Sequence, residues 1–122
     1  MILLDGGMWR HLKEIGVPFG QREWSALALI DDPSYVLQAH NDFIDAGSDY
    51  ITTNSYAIIP FHLGNKIFNE KAKELLKLSG ELAKKAKENS KTSVKIAVSI
   101  PPVLGSYKPE VYNSNEARTY LE

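Results

Sequence analysis

The sequence predicts an α/β fold built around a parallel sheet, on three observations. Short apolar or β-branched runs alternate with stretches of helical periodicity, in the order strand, helix, strand, helix, strand. Each apolar run ends in a turn-forming or polar group: Asp5-Gly6-Gly7, Asn54-Ser55-Tyr56 and Ser99-Ile100-Pro101-Pro102. Helical stretches separate the three runs, as the right-handed crossovers of a parallel sheet require.

The first run, Ile2-Leu3-Leu4, is short and continuously apolar, the pattern of a buried parallel strand. Met8 to Ile15 reads as a short helix stopped by Gly16 and Pro18. The stretch from Val17 to Leu29 reads as irregular, with Pro18, Gly20 and the polar run Gln21-Arg22-Glu23 ahead of Trp24. A better-marked helix follows. Asp32 is its expected N-cap and Pro33 its first helical residue, where the missing N–H is no loss. Val36, Ala39, His40, Phe43 and Ala46 make one apolar stripe, and Gly47 is the expected left-handed residue after the last turn. Tyr50-Ile51-Thr52-Thr53 reads as the second strand.

A long helix is expected from Asn69 to Asn89, with Ala72, Leu75, Leu76, Leu82, Ala83 and Ala86 on one face and lysines on the other. Its lysines alternate with Glu70, Glu74, Glu81 and Glu88, so this is a solvated, paired face rather than a nucleic-acid patch. Val94 to Ser99 reads as the third strand, ended by Pro101-Pro102. Ser114 or Asn115 is read as the cap of a last helical pattern, Glu116 to Leu121. That pattern reaches Glu122 with no stop signal, which reads as part of a longer barrel interrupted within a helix.

Composition narrows the function classes. Of 122 residues 43% are hydrophobic and 24% charged, the balance of a globular domain. Fourteen Lys and Arg against fifteen Asp and Glu give a net charge of -1, so no electrostatic argument favours nucleic acid or an anionic membrane. No apolar run approaches the roughly 20 residues that span a bilayer. With no cysteine, the sequence has no disulfide framework, thiolate metal site or cysteine nucleophile. A cytoplasmic location agrees with these absences.

Three segments in order resemble the homocysteine S-methyltransferase family. Leu3-Leu4-Asp5-Gly6-Gly7-Met8 is similar to that family's opening strand and Asp-Gly-Gly or Asp-Gly-Ala loop. Trp24-Ser25-Ala26, His40, Ala46-Gly47-Ser48-Asp49 and Thr53-Asn54-Ser55-Tyr56 follow its second set of motifs. Ser99-Ile100-Pro101-Pro102 with Gly105-Ser106-Tyr107-Lys108-Pro109-Glu110 looks like a branch with Pro-Pro and Gly-Ser-Tyr-Arg-Pro-Asp. The resemblance implies a (β/α)8 TIM barrel, of which residues 1–122 would hold about the first three β/α units, since such a barrel takes about 250 residues. It implies methyl transfer from a sulfonium, betaine or folate-type donor to homocysteine sulfur, giving methionine. It also implies zinc, held in the family by cysteines of the second half, one on a late strand and a vicinal pair near the C-terminus. A bound cation stabilises the thiolate that attacks the methyl group. Residues 1–122 offer no such cysteines, so no catalytic or metal-binding residue is assigned and the chain alone is expected to be inactive.

The candidate substrate-binding residues are Asp5, Gly6, Gly7, Trp24 and Asn54. By resemblance, the Asp5 loop meets the amino group of homocysteine; the alternative is a turn aspartate supporting Gly6 and Gly7. Those glycines would let ligand approach the backbone, or simply loosen the loop. Trp24 would wall the pocket or pack over the barrel mouth. Asn54 would bind ligand or fix a loop, and Tyr107 would border the pocket. His40 lies in a helix stripe away from the strand ends and reads as a structural histidine, while His11 and His62 read as surface residues. Where many members carry Gly-Thr-Glu after the first loop, Trp9-Arg10 stands here, which leaves the donor open. Two other readings compete: a non-catalytic half-barrel that covers its exposed edges by pairing with another chain or itself, and an unrelated α/β barrel enzyme.

Overall fold

The computed structural model describes residues 1–18, 25–105 and 107–121. The fold is α/β, with helices packed on a small parallel sheet. Its helices are α1 (Met8–Glu14), α2 (Ala26–Asp31), α3 (Ser34–Asp45), α4 (Pro60–Leu63), α5 (Asn65–Asn89) and α6 (Ser114–Leu121). The strands are β1 (Tyr50–Thr52) and β2 (Lys95–Ala97), and a 3-10 turn covers Pro109–Val111.

β1 and β2 run parallel in the register Tyr50↔Lys95, Ile51↔Ile96 and Thr52↔Ala97. The expected first strand is present as a single parallel bridge, Leu4↔Tyr50. Leu3 O accepts from the N–H groups of Asp49 and Tyr50, and Asp5 N–H donates to Tyr50 O at 3.0 Å. Asp49 ties both neighbours to β1. Its carboxylate accepts the Leu3 N–H at 2.7 Å, and its carbonyl accepts the Lys95 N–H at 2.9 Å. The three segments therefore lie side by side in chain order.

Packing explains where the strands sit. Ile51, fully buried, meets Ile44 of α3, Ala83 and Ala86 of α5, and Val94. Burying such a side chain stabilises by about 1.5–3 kcal/mol. A larger cluster fills the space between α1, α2, α3 and α5, around Leu12, Leu29, Val36 and Leu75. A third joins Ile59, Val103 and Ala117. Large apolar side chains of the strand segments stay exposed, among them Ile2, Leu4, Val98 and Ile100.

The signals around α3 act as expected. The Asp32 carboxylate accepts the Ser34 N–H at 3.0 Å, capping the helix that Pro33 begins. At the other end Gly47 has φ 98°, and the N–H groups of Gly47 and Ser48 reach Ile44 O and Phe43 O, a Schellman closure.

Several boundaries differ from the sequence reading. Ala26–Asp31 is helical where an irregular stretch was expected; Ala26, Ala28 and Leu29 are all buried, so no polar face marks the period. α5 starts at Asn65 rather than Asn69, because Gly64 takes φ 77° and Ile67 and Phe68 pack on the core from the first turn. The cap of α6 is Asn113, whose side-chain oxygen accepts from Asn115 and Glu116, rather than Ser114 or Asn115. Lys77–Glu81 and Lys84–Glu88 pair along the exposed face of α5, as their spacing predicts.

Candidate functional site

The C-terminal ends of the three parallel segments meet at one cavity of about 350 Å³. Asp5, Gly6 and Gly7 border it from the first segment, Thr52, Thr53 and Asn54 from β1, Ser99 from beyond β2, and Tyr107 from the following loop. Cavities of this size accept small metabolites.

Asp5 is anchored across the sheet. Thr52 donates its N–H to Oδ2 at 2.6 Å and its hydroxyl to Oδ1 at 2.9 Å. A carboxylate has about four acceptor sites, so two bonds leave it able to accept others. Gly6 is required by packing: a Cβ there would come within 2.9 Å of Phe43 Cε1. Phe43 in turn lies against the His11 ring, centroids 5.1 Å apart, and His11 Nε2 is 2.7 Å from Asp42 Oδ2. Gly7 meets nothing closer than Arg10 Cβ at 3.9 Å and serves as the residue before α1. The close approach that glycine permits is thus, at Gly6, an approach to α3.

Asn54 is 3% exposed and donates from Nδ2 to Ser25 O at 2.9 Å, fixing the start of α2 to the end of β1. Trp24 lies outside the described residues. Neighbouring hydroxyls, which the sequence reading did not single out, join β1 to β2. Thr53 Oγ1 accepts the Ser99 N–H at 3.2 Å and lies 2.9 Å from Ser55 Oγ, which donates to Ser99 O. The signal for them was available: four consecutive polar residues, Thr52 to Ser55, close a buried strand whose end faces the site.

Two of the three histidines, His11 and His62, are placed differently from the sequence reading. His40 is fully buried, as a structural residue should be, yet it is close enough to the strand ends to feel the Asp5 charge. Burial pushes its imidazole down to about 4, against the opposing pull of the Asp5 carboxylate, so the ring is neutral at pH 7. His62 is buried rather than on the surface, and His11 is part-buried with Asp42 as its partner. Among the described residues no group of His, Asp or Glu could hold a metal ion, and the sequence has no cysteine. Zinc therefore finds no ligand set among the described residues. No described helix is long and apolar enough to cross a membrane.

Known proteins resemble this chain in sequence and fold. The family model for homocysteine S-methyltransferase matches residues 2–122. Homocysteine S-methyltransferase 1 of Brassica oleracea var. italica is 35% identical over 97 residues, covering 75% of this chain and 30% of that protein. Homocysteine S-methyltransferase of Escherichia coli (strain K12) is 34% identical over 89 residues, covering 72% of this chain and 29% of that protein. The crystal structure of the homocysteine methyltransferase MmuM from Escherichia coli, in its metallated form, superposes with TM-score 0.71 and 31% identity. That match covers 83% of this chain and 38% of the other. The chain thus spans about three-tenths of the length of these curated relatives. With its ordered motifs and strand-end cavity, the chain belongs to the homocysteine S-methyltransferase family.

Proposed function

We propose that residues 1–122 form the first three β/α units of a homocysteine-binding (β/α)8 barrel and supply the part of the pocket that recognises the amino-acid end of homocysteine. The observation that carries this reading is Asp5, a carboxylate fixed by Thr52 at the mouth of a cavity on the strand ends. Active sites of (β/α)8 enzymes assemble on that side. An ammonium beside Asp5 would use the acceptor sites that Thr52 leaves, as a charge-assisted hydrogen bond. Asn54, with its nitrogen committed to Ser25, offers its side-chain oxygen as a second acceptor. Gly6 and Gly7 contribute backbone rather than side chain to this wall.

In the whole reaction the homocysteine sulfur, its thiol proton released to solvent or base, would form a bond to the methyl carbon of a sulfonium, betaine or folate-type donor. The donor keeps the electron pair of the broken bond and methionine leaves. Residues 1–122 contribute orientation to that step, and nothing in them activates the thiol. Calorimetry with L-homocysteine tests the reading. Asp5→Asn keeps the shape and an acceptor for the Thr52 N–H, turns the Thr52 hydroxyl to accept from the new amide N–H, and removes the charge; it is expected to weaken binding roughly tenfold or more. Equal affinity for the variant and the original would overturn the assignment.

A second reading has its own observation. Ile2, Leu4, Val98 and Ile100 are exposed along the strand segments, a pattern that parallel sheets in barrels bury. Further strands, from another chain or a second copy, would cover them. Sedimentation velocity separates the two outcomes: a concentration-dependent dimer supports self-pairing, and a monomer over the micromolar range opposes it.

A further inference from the structure

His40 is the one buried polar side chain among the described residues for which packing gives no reason. It is 0% exposed, and neither Nδ1 nor Nε2 has a hydrogen-bond partner among the described residues. A neutral imidazole keeps one N–H and one lone pair, and leaving such groups buried and unmet is destabilising. A leucine has similar bulk and would fill the stripe between Val36, Ala39 and Ile44 without that cost.

Two facts connect the ring to the strand-1 loop. The charged group acting on it is Asp5. One turn further along α3, Phe43 occupies the space beside Gly6 that any side chain there would need. Residues three apart on a helix share a face, so His40 lies on the side of α3 whose Phe43 packs beside Gly6, the residue after Asp5.

We propose that His40 is a positioning residue for Asp5. Its neutral imidazole turns an N–H dipole toward the carboxylate from within the core and steadies it, so that the acceptor sites not used by Thr52 stay directed at the ligand ammonium. The gain is preorganisation: the dipole is in place before the cation arrives. The role in ligand binding rests on the reading of Asp5 as the ammonium partner. The coupling of His40 to Asp5 does not.

His40→Leu and His40→Gln in the 122-residue chain test both parts. Without ligand, the Thr52 amide, which donates to Asp5, is expected to exchange about tenfold faster in His40→Leu, while the Val36 and Ala39 amides keep their rates relative to global unfolding. His40→Gln, which retains a donor, should recover most of that protection. With ligand, His40→Leu should lose about tenfold in affinity for L-homocysteine but keep its affinity for 4-mercaptobutanoate, which has no ammonium. Unchanged Thr52 exchange overturns the proposal, as does an equal loss for both ligands. If the original chain binds no homocysteine, the ammonium reading fails and Thr52 exchange alone decides the coupling. Should leucine disrupt the fold, His40→Met takes its place with the same expectations.

Discussion

The two loops that border the cavity are held in different ways. Residues 5–7 are fixed from two sides: Thr52 clasps Asp5, and Phe43 fills the space beside Gly6. The loop after β2 is anchored at its base, where Val103 packs on Ile59, and then turns through local backbone bonds such as Gly105 to Pro102 and Val111 to Lys108. Its Tyr107 stands 86% exposed with φ 62°, a left-handed conformation that a bulky residue adopts at a cost. One rim is preorganised and the other is adaptable.

The largest effect expected from breaking the fixed rim is one of pH. The His40 imidazole would take a proton near 6.5 when unfolded but only near 4 when folded. Between those values acid favours the unfolded chain, so stability rises with pH from about 4 to 6.5 and levels off above. The difference is on the order of 3 kcal/mol for this buried ring. Urea melts across that range should show the slope, and His40→Leu should lose this part of it.

Next in size is Asp5→Ala, which leaves the Thr52 N–H and hydroxyl without their acceptor. A loss of about 2 kcal/mol is expected in the same melts, against about 1 kcal/mol for Asp5→Asn, which keeps one of the two acceptors. Gly6→Ala should cost about 1 kcal/mol, since the new methyl group forces Phe43 away from its place beside His11. An equal cost for alanine at Gly7, where a Cβ meets little, would contradict the claim that α3 sets the position of this loop.

The adaptable rim should respond with the opposite sign. Tyr107→Gly relieves the left-handed strain and is expected to stabilise by about 0.5 kcal/mol, the gain being reduced by the greater freedom of glycine when unfolded. A destabilisation of more than 1 kcal/mol would mean that the Tyr107 ring holds the loop, and the contrast between the rims would blur.

Much of this was legible in the sequence. Asp32-Pro33 and Gly47 delimit α3 because capping is local chemistry, and the order of strands follows from alternation. Asp5 and Asn54 were singled out as site residues because they close apolar runs. What could not be read was tertiary. α2 carries no helical period because it is buried between α3 and α5. The bonds from Thr52 to Asp5 span 47 positions. His40 was read as remote because it sits in the apolar stripe of an outer helix, and only the fold packs that helix, through Phe43, against the loop after Asp5.

The most direct test of the fixed-rim account is an amide NMR titration with L-homocysteine, with 4-mercaptobutanoate as control. Shifts should concentrate at Asp5, Gly6, Gly7, Thr52 and Asn54, and those of Asp5 to Gly7 should be lost with the compound that has no ammonium. Shifts confined to Lys108 through Tyr112, or the same pattern with both compounds, would contradict a role for Asp5 in holding the amino group.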